Sequence, residues 1–261
     1  MSYLFDHTWE KERQRLAAME AALDPWTIRN LISIGIEPGW RCLEIGAGGG
    51  SIAAWLCQQV GAAGRVVATD LETRFLEAIE ADNLEVRRHD IVTDALETNS
   101  YDLIHARAVL DHLPERDAVV NRLAAALRPG GWLAIEAGDF STLRATMERG
   151  DDARFFDSAC AAILAVSAAT GVDHFYGRRL GTVFRRAGLA GVSVAGLVCE
   201  WDRAHPLAEL FHLTFQRIRD RVVEAGALTV EQFERLFALM ESPAFRALGN
   251  IVYFACGRRA G

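Results

Sequence analysis

The sequence predicts an α/β fold built on a parallel sheet, and two observations carry that prediction. From Trp40 onward, short runs rich in β-branched and apolar residues alternate with helical patterns across short loops, which calls for right-handed crossovers. A glycine-rich turn, Gly46 to Gly50, stands directly after the first of these runs and directly before a helix.

The elements follow in order. Trp9, Leu16 and Leu23 recur every seven residues with Met19 between them, an apolar stripe on one helix. Asp24 as N-cap and Pro25 at the first helical position predict a second helix through Ile28, Leu31 and Ile32, stopped by Gly35. Residues 1–37 are thus read as a helical cap, and 38–261 as the main domain. There, strands are expected at 41–45, 65–69, 84–88, 102–106 and 132–136, with helices at 51–60, 73–80 and 114–127. After Ala137 the regular alternation stops. Two excursions, 139–176 and 202–246, are expected to cover the strand ends, with a helical run at 155–169 in the first. Between them lie a crossover helix at 178–187 and a strand at 192–200, and a last strand, Asn250 to Cys256, ends the chain.

Composition excludes several chemistries. Of the 261 residues, 51% are hydrophobic and 24% charged, with a mean hydropathy of +0.08. This is enough apolar material for a sizeable core. Among 28 basic residues only Lys11 is a lysine, and it lacks the flanking residues of a phosphate-binding loop, a Schiff-base site or a kinase strand. Any cation in a functional crevice is therefore expected to be arginine or histidine. A net charge of −7 without a dense basic block argues against a nucleic-acid partner. Five scattered cysteines read as reduced thiols, and no metal-ligand spacing is present. The first residues hold no apolar leader and no uncharged stretch reaches membrane-spanning length, so no membrane association and a cytoplasmic location are the expectations.

Three strand ends carry the chemistry. Gly46 and Gly48 allow a tight turn and a close backbone approach to a ligand, with free N–H groups of the next helix behind them. Asp70 ends the second strand, where a carboxylate can accept both hydroxyls of a ribose. Asp90 and Ile91 follow the third strand, placed to accept an adenine amino group and to pack on its ring. A dinucleotide fingerprint has a third glycine where Ser51 stands, and the Tyr-x-x-x-Lys of a short-chain reductase fails because His7 precedes Lys11 by four.

Taken together, Glu44-Ile-Gly-Ala-Gly-Gly-Gly50, Asp70, Asp90-Ile91, Tyr101-Asp-Leu-Ile-His-Ala-Arg107 and Leu127-Arg-Pro-Gly-Gly-Trp132 resemble the motifs of class I S-adenosylmethionine-dependent methyltransferases of the bacterial small-molecule type. The resemblance spans about residues 38–200 and the final strand. It implies a Rossmann-like seven-stranded sheet of order 3-2-1-4-5-7-6 with an antiparallel last strand. It also implies S-adenosylmethionine held by Glu44, Gly46, Ala47, Gly48, Asp70, Leu71, Asp90, Ile91, Ala106 and Arg107, the last at the cofactor carboxylate. Family members carry acceptor specificity in the cap and the excursions, and many pair as homodimers through the cap.

The aromatic residues of those segments (Phe5, Trp9, Phe140, Phe155, Phe156, Phe175, Tyr176, Trp201, Phe211, Phe215) suit a small, apolar organic acceptor with an O, N or C nucleophile. Methyl transfer from a sulfonium needs alignment and exclusion of water more than a reactive side chain. If the acceptor is a hydroxyl, Asp139 and His174 are the first candidates for a general base, with His212 and His105 behind them; His112 stands at a position that the resemblance makes common to many methyltransferases, and Thr27 is a weaker candidate from the cap. Two other readings stay open: a methyltransferase fold that binds the cofactor without transferring methyl, as a cyclase or scaffold, and a nicotinamide-dependent reductase.

Overall fold

The computed structural model describes residues 10–261. Its centre is a seven-stranded sheet: β1 (Arg41–Ile45), β2 (Arg65–Asp70), β3 (Leu84–Arg88), β4 (Tyr101–Arg107), β5 (Leu127–Asp139), β6 (Leu189–Leu197) and β7 (Ile251–Arg259). The order is β3-β2-β1-β4-β5-β7-β6, as the motifs imply. The first five strands pair in parallel, whereas β7 runs antiparallel between β5 and β6, with Phe254 opposite Glu136 on one side and Ala195 on the other. Central strands covered on both faces need apolar side chains throughout, and β1, β2 and β4 are buried along nearly their whole length.

The described residues include seven α-helices: α1 (Glu12–Ile34), α2 (Ser51–Val60), α3 (Arg116–Ala126), α4 (Asp151–Ala168), α5 (Leu180–Arg186), α6 (Pro206–Glu224) and α7 (Val230–Met240). One core cluster lies on the α3/α5 face of the sheet and a second on the α2 face, where α1 also packs. A third is built by α4, α6 and α7 around Phe156, Trp201, Phe233 and Phe245, so the two excursions share a core of their own. A small three-stranded antiparallel sheet of residues 144–145, 247–248 and 200–201 ties them together. It is too short to leave a period in the sequence.

Two expectations are corrected. The cap is one helix, not two: α1 runs through Pro25 and ends only at Gly35, whose φ of 80° closes it in the left-handed conformation. An interior proline costs about 3 kcal/mol. Here the buried stripe of Leu16, Leu23, Thr27 and Leu31 continues across Pro25, so packing on both sides offsets that cost. Second, residues 73–80 form a turn and no regular helix, with Leu76 and Glu77 donating to the Thr73 carbonyl. Only Leu76 and Ile79 of this segment pack into the core, too little burial to propagate a helix from a costly nucleus. The sixth strand is found at 189–197 and the seventh at 251–259, each a few residues off the expected bounds.

Candidate active site

The carboxyl ends of β1, β2, β3 and β4 open onto one cleft. It is lined by Glu44, Gly46, Ala47, Gly48, Asp70, Leu71, Asp90, Ile91 and Arg107, nine of the ten residues expected to hold a cofactor. Ala106 is the exception. It is buried within the sheet, and Ala108 and Val109, just beyond Arg107, reach the cleft in its place. Side chains alternate faces along a strand, so a shift of one residue exchanges wall for interior.

The glycine turn is shaped by contacts that a side chain would destroy. Gly46 has φ +62°, and a Cβ there would lie 2.3 Å from Val109 Cγ2. The turn is anchored to β2, because Ala47 N donates to the Thr69 carbonyl at 3.0 Å and Thr69 Oγ1 donates to the Glu44 carbonyl at 3.1 Å. Asp70 completes the arrangement: its Oδ2 accepts from Gly48 N at 2.9 Å and its Oδ1 from Glu72 N at 3.1 Å. One carboxylate thus holds the glycine turn while lining the cleft. Asp90 likewise orders its own loop by accepting from Val92 N at 2.9 Å.

The opposite wall comes from the cap. Glu12, Arg15, Leu16, Met19 and Glu20 of α1 line the cleft, none of them singled out by the sequence motifs. The apolar stripe of Leu16, Met19 and Leu23 was the available signal; periodicity shows that a helix face is covered but not what it covers. Trp9, the first residue of that stripe, and Phe5 lie outside the described residues. Burial pushes the Glu12 carboxyl up, but Arg15 and Arg217 more than offset this and hold it below the usual carboxylate range. Lys11 donates to Gln216 Oε1 at 3.2 Å and lines neither this cleft nor the next cavity, whose positively charged side chains are arginines.

A second cavity, about 170 Å³, adjoins the first and shares Arg15, Met19, Arg107 and Ala108 with it. Its walls are largely apolar, with Leu23 from the cap, Phe140 after β5, Ile163 from α4 and Leu207, Phe211, Phe215 and Ile218 from α6. Three of the ten aromatic residues expected here, Phe140, Phe211 and Phe215, do line it; Phe156, Tyr176 and Trp201 are fully buried core, and Phe155 and Phe175 lie elsewhere. Its polar groups include Asp111, His112, His174 and Glu136.

The catalytic candidates separate cleanly. His174 lines this cavity, its ring edge on Phe140 and its Nε2 buried with no hydrogen-bond partner. Burial lowers its pKa, Asp111 opposes and His112 adds to the effect, so the imidazole is kept neutral. Asp139 lines neither cavity. Its carboxylate accepts from Arg178 Nε at 2.5 Å, Arg178 Nη2 at 2.7 Å and Ser141 N at 3.0 Å, so it is a clamp at the end of β5 and not an available base. Burial raises its pKa, yet these bonds hold it below the usual range. His212 packs on Phe237 away from both cavities.

His105 is fully buried between two glutamates, its Nδ1 2.8 Å from Glu44 Oε2 and its Nε2 3.5 Å from Glu136 Oε1. Burial opposes its charge, but Glu44 and Glu136 win and push its pKa up to about 9. Arg107 is turned toward the cap: Nη1 donates to Asp24 Oδ1 at 2.8 Å and Thr27 Oγ1 at 2.9 Å. The guanidinium expected at a cofactor carboxylate is thus engaged by α1. Among the described residues, no group of three or more His, Cys, Asp or Glu is placed to hold a metal ion, and no helix is long and apolar enough to cross a membrane.

These features agree with what the chain resembles. Residues 43–133 match the family model described as a methyltransferase domain. A methyltransferase of Strobilurus tenacellus, str2, is 32% identical over 172 residues, covering 66% of this chain and 61% of that protein. The ubiquinone biosynthesis O-methyltransferase of Burkholderia pseudomallei is 30% identical over 196 residues, covering 68% of this chain and 74% of that one. Among solved structures, a Haemonchus contortus phosphoethanolamine N-methyltransferase in complex with S-adenosylhomocysteine shares the fold, with a TM-score of 0.55 and 16% identity over 95% of this chain and 52% of that one. The sheet order, the glycine turn with its acidic strand ends and these similarities lead to one conclusion: the chain belongs to the class I S-adenosylmethionine-dependent methyltransferases.

Proposed function

We propose that the enzyme methylates a hydroxyl oxygen on a small, largely apolar organic molecule. The observation that carries this reading is the apolar cavity that shares the wall of Arg15, Met19, Arg107 and Ala108 with the donor cleft, so that an acceptor in one meets a methyl group presented from the other. The name O-methyltransferase borne by the Burkholderia relative supports oxygen as the acceptor atom.

The cleft fits S-adenosylmethionine. Gly46 lines the cleft with bare backbone at a φ of +62°, Asp70 offers carboxylate oxygens at the end of β2, and Asp90 with Ile91 offers a polar and an apolar contact beyond β3. When bound, the cofactor supplies a methyl group on a positively charged sulfur. The protein then has to bring the acceptor oxygen into line and keep water away. Met19 and Ala108 narrow the shared wall, while Phe211, Phe215 and Ile218 exclude water around the acceptor's body. His174, neutral and with Nε2 unengaged, takes the hydroxyl proton at that nitrogen.

The test is release of S-adenosylhomocysteine from the purified protein with S-adenosylmethionine and matched sets of phenols, aliphatic alcohols, amines and carbon acids. Turnover confined to the hydroxyl sets is expected, and turnover confined to amines or carbon acids overturns the oxygen assignment.

A further inference from the structure

Helix α1 is divided at Pro25. The α1 residues that line the two cavities, from Glu12 to Leu23, all precede the proline, whereas Trp26, Ile28 and Leu31 after it pack into the core on the α2 face. Pro25 has no N–H to give to the helix ladder, so the ladder is weakest there. Asp24-Pro25 is moreover a helix-start signal in its own right. The helix is nonetheless continuous, and it is held from outside on both flanks of the proline. Asp24 Oδ1 and Thr27 Oγ1 both accept from Arg107 Nη1, and Thr27 Oγ1 donates to Glu136 Oε2 at 3.1 Å. Glu136 in turn faces His105, whose other ring nitrogen meets Glu44 at the floor of the donor cleft. Neither Asp24 nor Thr27 lines a cavity; Arg107 and Glu136 do.

We propose that Asp24 and Thr27 are positioning residues whose grip on Arg107 and Glu136 keeps α1 continuous across Pro25 and so seats its site-lining half, residues 12–23, over the donor cleft. With the grip released, the helix can begin anew at Pro25, which suits a first helical position, and residues 12–23 leave the cleft as a unit. The sequence therefore encodes both arrangements, and the bonds to the sheet, added to the packing of α1 on α6 and the Glu12–Arg217 pair, select the closed one. This inference rests on the assignment of the donor cleft and not on the identity of the acceptor.

The experiment measures S-adenosylhomocysteine affinity by calorimetry and amide exchange along α1 in the intact chain. In Asp24→Ala and in Thr27→Val, affinity is expected to fall about tenfold, the effect of losing one charge-assisted or buried hydrogen bond. Exchange should quicken in 12–23 but not in 26–34. Thr27→Ser, which keeps the hydroxyl, should stay near wild type. Adding Pro25→Ala to Asp24→Ala should restore affinity, because a helix without the proline needs no outside grip. Unchanged affinity and exchange in Asp24→Ala overturn the proposal even if Thr27→Val does not fold. Failure of Pro25→Ala to rescue overturns it as well, since Asp24 would then act through the charge of Arg107 alone. A wild-type chain that does not bind S-adenosylhomocysteine refutes the donor-cleft assignment itself, a separate and recognisable result.

Discussion

Single side chains decide whether the donor cleft exists. Gly46→Val places a branched side chain where Val109 already stands, at a φ that β-branched residues avoid, so loss of S-adenosylmethionine binding by calorimetry is expected with a fall in thermal stability. Asp70→Asn is the milder probe. It keeps one oxygen to accept a backbone N–H but loses the charge that holds Gly48 and Glu72 together, and binding about 10- to 100-fold weaker is expected for a charge-assisted contact. His105 makes a prediction of opposite character, about stability. Its folded pKa, about 9, lies above its ordinary value of 6.5, so the native state holds the proton more tightly than the unfolded chain does. That stabilisation is complete below about pH 6.5 and is lost as the pH rises through about 9. The denaturation midpoint should therefore fall between pH 7 and 9.5. His105→Asn should flatten the fall, and an equal slope in the variant would assign it to other groups. For His174 the sign reverses. Burial lowers its pKa, so the bare Nε2 persists below the ordinary histidine range, and the acid limb of kcat should lie below that range too. His174→Gln should cut kcat about 100-fold for a hydroxyl acceptor, as loss of a general base does, with S-adenosylmethionine affinity little changed.

At the scale of elements, function depends on what joins the strand ends to their coverings. The Asp139–Arg178 pair ties the end of β5 to the turn that leads into α5. Asp139→Asn is expected to cost about 1–2 kcal/mol in chemical denaturation, because Arg178 is half exposed and its charge is partly solvated. Turnover should be largely kept, whereas a loss of kcat as large as that of His174→Gln would make Asp139 the base. This division also marks what was legible in the sequence. The residues at the ends of β1, β2 and β3 could be read because strand–turn–helix chemistry is local: a glycine that must bend and an acid that must face a ligand sit within a few positions of each other. Asp139 and Arg178 are 39 residues apart, and Arg15 and Met19 reach the cleft only because α1 folds back over it. No local spacing encodes such meetings. The expected break at Asp24–Pro25 was a correct reading of local propensity that tertiary packing overrides, and residues 73–80 were an apolar face too small to hold a helix.

For the molecule as a whole, the two excursions form a separate core in which α4, α6 and α7 bury their aromatic residues, and the rim of that core is a wall of the second, apolar cavity. Under the proposed function, the sheet keeps the donor geometry while the excursions set the acceptor. With Leu207, Phe211, Phe215 and Ile218 on the wall, discrimination among acceptors is expected to come from apolar burial rather than from charge. Burying one methylene is worth about 0.8 kcal/mol, close to a fourfold change in an equilibrium constant. Across a series of para-alkyl phenols, KM should thus fall about three- to fourfold per added carbon while kcat stays level, because in the proposed function the reacting oxygen lies at the shared wall and the tail away from it. The fall should stop, and KM should rise, once the tail exceeds the cavity. Phe215→Ala removes aromatic volume from that wall and should move the optimum to longer tails, with the short phenols bound less tightly than by the wild type. A KM that ignores chain length, or an optimum unmoved by Phe215→Ala, would place the acceptor outside this cavity and leave the donor assignment standing.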